Sequence, residues 1–291
     1  MARIPPDLEL STADLDQLTQ PTVAIRTGDA LFRVEGSGTI ACLQGQLSND
    51  LVKAADRSAV WGAFLTAKGM IISDAWVLRD GDAAWVAVPA QARETVRALF
   101  VRTMPPRLAR VTDRSDELTI WLALGNAPAD GFLPRESAPF AALAVGAHAA
   151  PPPSLTDRAI LPPSAADALR FVAGWPTLGR EIDERTLPQE ARFDELGGIR
   201  YDKGCYTGQE TMSRLHFRGH ANRQLAVIIW PVGSEPGSRD LTSEGKSIGT
   251  LRTIARIGDR WAALATVRRE VQVGDELAGG VVTTLPFTFA G

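Results

Sequence analysis

The stretch AVWGAFLTAKGMIISDAWVLRDGDAAWVAVP (Ala59–Pro89) carries three runs of apolar and small residues, broken at Ala67–Gly69 and at Arg79–Asp82. Asp80-Gly81 is a favoured hairpin dipeptide, because a tight two-residue turn needs backbone with positive φ. The pattern predicts three strands. Toward the N-terminus, VAIRTGDALFRVEG (Val23–Gly36) predicts two short strands around a Thr27-Gly28-Asp29 turn. A helix is expected next, with Ser37 as N-cap and Ile40, Leu43 and Leu47 spaced i, i+3 and i+7. Toward the C-terminus, Gln91 to about Met104 predicts a helix with Val96, Leu99 and Phe100 on its apolar face, stopped by Pro105-Pro106. ELTIWLALG (Glu117–Gly125) reads as a further strand. Strand–helix–strand–strand–helix–strand is the order of a ferredoxin-like α+β unit. A doubly wound nucleotide fold is disfavoured, since Gly36-Ser37-Gly38 has no third glycine at the required spacing.

The rest of the chain divides into three parts. Asn126–Pro163, rich in Ala and Pro, is expected to be connecting structure with an irregular strand or two. SAADALRFVAGWP (Ser164–Pro176) begins with a helix that ends near Gly174. QLAVIIWP (Gln224–Pro231), KSIGTLRTIAR (Lys246–Arg256), DRWAALATVRR (Asp259–Arg269) and the valine-rich end predict a small all-β barrel or sandwich. The expected domains are therefore 1–224 and 225–291.

Composition narrows the function. A net charge of −3 gives no overall bias toward nucleic acid, and no direct nucleic-acid partner is expected. Two cysteines, Cys42 and Cys205, are too few for a disulfide scaffold or for an all-cysteine metal cluster within one chain. The opening MARIPPDLELSTADLDQ has no basic-then-apolar pattern, and no apolar run reaches membrane-spanning length. A cytoplasmic protein with no membrane partner is the expectation.

The chemistry concentrates in KGCYTGQE (Lys203–Glu210). A thiol reacts as thiolate, which nearby cations or a helix N-terminus favour. Lys203 lies two residues before Cys205, and a helix is expected to start near Gln209, beyond Gly208. Gly204 would permit a sharp turn and close approach of a ligand. Glu210 and Arg214 would share a helix face. The plainer reading is that a free cysteine is a buried small apolar side chain. Cys42, near an apolar helix stripe, takes that reading, and Trp76, Trp85 and Trp121 read as strand packing, whereas Trp175 could line a pocket. His216 and His220 stand i, i+4, but no acidic partner accompanies them and Gly219 interrupts the helix, so no metal site is expected.

KGCYTGQE resembles the K-G-C-Y-x-G-Q-E signature of the YgfZ family, with Thr207 in the free position. The resemblance extends to CLQGQLSND (Cys42–Asp50), LTAKGMIISD (Leu65–Asp74, with Ala67 where the family usually has proline), LRFVAGWP (Leu169–Pro176) and FRGHANRQL (Phe217–Leu225). It covers most of the chain outside 126–163. It implies the folate-binding fold shared with the T-protein of the glycine cleavage system, with three domains around a central channel and a C-terminal β-barrel. It further implies a role in iron–sulfur cluster biogenesis or repair, with tetrahydrofolate or a derivative as ligand. Cluster assembly proteins or client cluster enzymes, such as the tRNA methylthiotransferases, would be its partners. Cys205 and Lys203 are the residues on which activity would depend.

A pterin ligand calls for a carboxylate, an aromatic face and, for the glutamate tail, arginine. The candidates are Asp74, Asp50 or Glu210; Tyr206, with Gln209 beside it, or a tryptophan; and Arg214, Arg218 or Arg223. The T-protein segment G-Y-T-G-E-D-G, which helps to form its folate site, has no counterpart in PPPSLTDRAILPP (Pro151–Pro163). That departure lowers the expectation of aminomethyltransferase activity. A folate-dependent one-carbon transferase and a non-catalytic scaffold for cluster carriers are the alternatives.

Overall fold

The computed structural model describes residues 4–136, 138–243 and 245–285. Three sheets carry the architecture. The first has the spatial order Arg110–Asp113, Ala30–Glu35, Ala83–Val88, Ile71–Asp80, Ser58–Leu65 and Leu133–Pro134. Its pairs are antiparallel except the last, which is parallel. The three strands of Ala59–Pro89 form where the apolar runs place them, and Gly81 takes φ 61° in the Asp80-Gly81 turn. All three separate the two helices, so the unit has one strand more than a split βαβ motif. The extra hairpin brings Ala83–Val88 back beside Ala30–Glu35.

Helix Arg93–Thr103 lays Val96, Leu99 and Phe100 on one face of this sheet. Phe100 meets Phe32 and Phe64 edge-on, with ring centroids 5.6 and 5.5 Å apart. The other helix on that face is short, Thr39–Gln44, and its N-cap is Gly38 rather than Ser37. The amide of Gly38 donates to the carbonyl of Leu108 at 2.9 Å, which ties the helix entry to the segment after helix Arg93–Thr103.

The second sheet runs Ala142–Ala147, Leu118–Gly125, Thr22–Arg26 and Ala159–Leu161. The two strands expected around Thr27-Gly28-Asp29 therefore do not form a hairpin, because Thr22–Arg26 and Ala30–Glu35 lie in different sheets. Val23, Ile25 and Leu31 pack into the core between the sheets, whereas Phe32 and Val34 face the helices. Thr27 bridges the change of sheet, with its amide donating to the Ile120 carbonyl at 2.9 Å.

The Ala- and Pro-rich segment contributes a regular strand at the edge of the second sheet. Ala142–Ala147 pairs over six residues with Leu118–Gly125. Alanine is a poor strand former by propensity. Here its small size is needed, because Ala142 and Ala144 pack against Trp121 and Leu155. A Cβ at Gly146 would come within 2.9 Å of the Trp121 ring.

The third sheet has the order Leu8–Leu10, Lys246–Ile257, Arg260–Arg268, Arg223–Trp230, Gly280–Thr283 and Glu276–Leu277, with Asp240–Ser243 beside Lys246–Ile257. Leu8–Leu10 pairs in parallel with Ala255–Ile257, so the start of the chain joins the sheet built by its end. One face of this sheet packs on Phe171 of helix Ser164–Ala173. Among the described residues, no helix is long and apolar enough to cross a membrane.

Candidate functional site

A cavity of about 760 Å³ opens between the first two sheets and helix Ser164–Ala173. That volume is in the range that takes a drug-sized ligand. Strand Ile71–Asp80 projects Asp74 and Trp76 into it, because residues i and i+2 share a strand face. Trp76 stacks on Trp175, with centroids 5.8 Å apart and planes at 16°, and meets the edge of Phe140 at 5.3 Å. Trp175 is delivered by the helix end at Gly174, whose φ of 61° turns the chain sharply.

Asp74 is buried, and its carboxylate accepts the Leu178 amide at 3.0 Å and the Thr177 hydroxyl at 3.3 Å. Burial pushes its pKa up to about 6, against the opposing pull of the Leu178 amide and the Arg170 charge. Asp29, on the connector between sheets, is raised to about 6 by the same desolvation, opposed by the Thr27 hydroxyl. Across the cavity, Asp167 accepts Arg170 at 2.5 Å and Arg180 at 2.9 Å. One carboxylate shared between two guanidiniums leaves positive character on that wall. The cavity thus offers an acceptor with a raised pKa, an aromatic wall and a cationic wall.

Of the residues singled out in the sequence for the ligand, Asp74 lines this cavity, and so does Trp175, the tryptophan expected to line a pocket; the others do not. KGCYTGQE packs elsewhere, onto the segment CLQGQLSND. The Lys203 ammonium donates to the carbonyls of Gln44, Leu47 and Asn49 at 2.7, 2.6 and 2.8 Å and lies 4.7 Å over the Tyr206 ring. Burial pulls the Lys203 pKa down to about 8, opposed by the charge of Asp50. The Thr207 amide donates to the Gly45 carbonyl at 3.2 Å. Asn49 and Ser48 reach the carbonyls of Gly197 and Gly198 at 2.8 and 2.6 Å. Asp50 is occupied by its own loop, accepting the Gln44 amide group at 3.0 Å and the Val52 backbone amide at 3.1 Å. Burial pushes its pKa up, but these and further hydrogen bonds outweigh burial and hold it below the usual carboxylate value.

Cys205 is exposed, in the loop that these contacts anchor. Tyr206 is buried beside it, its hydroxyl has no hydrogen-bond partner among the described residues, and burial raises its pKa to about 12. The helix Gln209–Arg218 starts where the sequence places it. Its N-cap, Gly208, has φ 85°, and a Cβ there would lie 2.7 Å from the Thr66 carbonyl oxygen. Gly204 meets nothing within 4 Å, so no close approach within the chain requires it. Gln209 is half-buried, whereas Glu210, Arg214 and Arg218 are exposed. Glu210 and Arg214 form no ion pair among the described residues. Arg223 lies away from this loop, at the start of a strand in the third sheet. His216 stacks on Tyr201 at 3.8 Å, and no cluster of three or more His, Cys, Asp or Glu side chains that could hold a metal occurs among the described residues.

Three segments with separate positions in the chain therefore meet at one place. LTAKGMIISD contributes Gly69, where a Cβ would press on Met212 of the signature helix at 2.7 Å. No protein-family model matches the chain. It is 30% identical to tRNA-modifying protein YgfZ of Escherichia coli O157:H7, over 84% of this chain and 80% of that protein. The chain belongs to the YgfZ family. The namesake proteins of Escherichia coli K12 (strain DH10B) and Shigella boydii serotype 18 are 27% and 26% identical over the same shares. Among solved structures, the glycine cleavage system aminomethyltransferase T of Bartonella henselae superposes with a TM-score of 0.75 at 16% identity. That match covers 94% of this chain and 88% of the other. The α+β fold is that of the T-protein.

In this YgfZ family member, Asp29, Arg170, Arg180 and Thr177 join Asp74 at the cavity, and sequence reasoning assigned none of them to it. Arg170 sits inside the quoted LRFVAGWP motif, which was a usable signal. In the sequence Asp29 looks like part of a turn between two strands and Trp76 like strand packing, because sequence does not show that the chain changes sheets at Thr27. The Lys203 geometry makes a prediction of its own. Lys203→Met should lower stability by about 1–3 kcal/mol, since three carbonyls lose their common donor. Lys203→Arg should not restore it, because a planar fork cannot converge on three acceptors around one point. Urea unfolding of both variants measures this, and a midpoint equal to the parent's for Lys203→Met would show that water replaces the ammonium at no cost.

Proposed function

We propose that this protein binds tetrahydrofolate, or a derivative, in the Asp74 cavity and acts as an accessory factor in iron–sulfur cluster biogenesis or repair through Cys205. The observation that carries the folate reading is the grouping of Asp74, the Trp76–Trp175–Phe140 wall and the Arg170–Asp167–Arg180 wall around one cavity of about 760 Å³. The Asp74 carboxylate accepts the paired N–H donors of the pterin edge. The indoles pack along its flat ring. The guanidiniums receive the glutamate tail. Membership in a family whose named members are tRNA-modifying proteins supports an accessory role toward enzymes that modify tRNA.

Cys205 and Lys203 are the functional pair in this proposal. The lysine fixes the loop on Gln44, Leu47 and Asn49, and its charge lies next to the segment that carries the thiol. Neither residue lines the cavity, so ligand and thiol act from separate places on the protein. Two tryptophans in the wall make binding observable. Anaerobic titration with tetrahydrofolate should quench their fluorescence and saturate. A linear, non-saturating response would remove folate from the proposal. An aminomethyl-transfer assay with tetrahydrofolate separates the accessory role from a one-carbon transferase, and turnover there would favour the transferase.

A further inference from the structure

The third sheet carries a cation pair that its own ladder does not favour. Arg223 and Arg268 are directly opposed cross-strand partners. Like charges at such positions repel and weaken the pair. Neither guanidinium has a side-chain partner among the described residues. Next along the same face, Thr266 stands opposite Thr250. Arg252 is the extra residue of a bulge between Leu251 and Thr253, and bulges re-aim side chains. Its guanidinium donates to the Thr266 hydroxyl at 3.0 Å and to the Asp183 carboxylate at 2.9 Å. These side chains, with Ser247, line a groove of about 290 Å³.

No acidic residue is among those lining the groove; Asp183 pairs with Arg252, and Asp240 stands across the ladder from Thr250. Three arginines against the two carboxylates of Asp183 and Asp240 leave about one positive charge, since arginine stays protonated. We propose that this groove binds a phosphoryl group, either free phosphate or a phosphate monoester on a small organic stem. Such a group carries close to two negative charges at neutral pH. Guanidinium forks match its oxygens, and the hydroxyls of Thr250, Thr266 and Ser247 supply further donors. The volume is at the lower end for small-molecule sites, which suits a phosphoryl group rather than a whole nucleotide. The groove shares no lining residue with the Asp74 cavity, so this proposal is independent of folate binding.

The test is an amide NMR titration of the full chain with inorganic phosphate and, separately, with glycerol 3-phosphate at constant ionic strength. Saturable shifts at Gly249, Thr250 and Val267, with Kd below ~1 mM, are expected. Tighter binding of the ester would assign the site to a phosphorylated metabolite, and tighter binding of the ion to free phosphate. Arg268→Glu should weaken either ligand at least about tenfold. Its thermal midpoint should not fall, because the substitution turns a cross-strand repulsion with Arg223 into an attraction. Shifts that stay linear to high concentration, or an Arg268→Glu protein that binds as tightly as the parent, would overturn the proposal.

Discussion

Asp74→Asn is expected to weaken tetrahydrofolate binding by about 10- to 100-fold, the worth of a charge-assisted hydrogen bond to a buried carboxylate. The same change should leave the ligand-free protein at least as stable as the parent at pH 7.5. The reason is the sign of the linkage. The folded-state pKa of Asp74 is raised to about 6 by burial, above its ordinary value of 3.8. Such a group contributes stability when protonated, and that contribution is lost as pH rises through 6. At pH 7.5 the parent holds an ionised carboxylate that burial disfavours, at a cost of up to roughly 2–3 kcal/mol. Asparagine keeps the shape and removes the charge. Affinity in the parent should also fall as pH drops below 6, where Asp74 and Asp29 take up protons. Calorimetric titration and thermal unfolding of both proteins between pH 5 and 8 measure the two effects together. An Asp74→Asn protein with parental affinity would place the ligand elsewhere, and one markedly less stable would give Asp74 a structural role.

The second large effect is expected at Cys205. Cys205→Ser should abolish complementation of an iron–sulfur enzyme defect and leave the thermal midpoint unchanged within about 2 °C, as exposed substitutions usually do. The position is exposed, and the loop is held by Lys203 and Thr207 rather than by the thiol. Cys42 is the control. It is half-buried and packs beside the helix-covered core, so Cys42→Ser should cost stability and retain complementation. Full complementation by Cys205→Ser would make the thiol dispensable and end its part in the proposal.

Much of the fold was legible because local signals agreed with the global arrangement. The three strands of Ala59–Pro89, the Arg93–Thr103 helix and the start of the signature helix at Gln209 lie where periodicity and glycine place them. Two features were hidden. Ala142–Ala147, expected as no more than an irregular strand in connecting chain, is a regular edge strand paired over six residues, because Trp121 leaves room only for small residues. Leu8–Leu10 gives no hint that its partner lies more than two hundred residues away, at Ala255–Ile257.

The candidate site divides in the same manner. The sequence by itself pointed to the family through KGCYTGQE, and singled out the thiol and the lysine there and Asp74 in LTAKGMIISD as candidates, because short motifs carry the chemistry of their residue types. Only the tertiary structure decided that Lys203 spends its charge on three carbonyls of CLQGQLSND, that Asp50 is consumed by its own turn, and that Asp74 shares a cavity with Asp29, Trp175 and Arg170. Hydrogen-bond partners and burial are properties of distance in space. Residues 29, 74, 170 and 175 acquire them only when a chain that changes sheets at Thr27 folds them around one cavity.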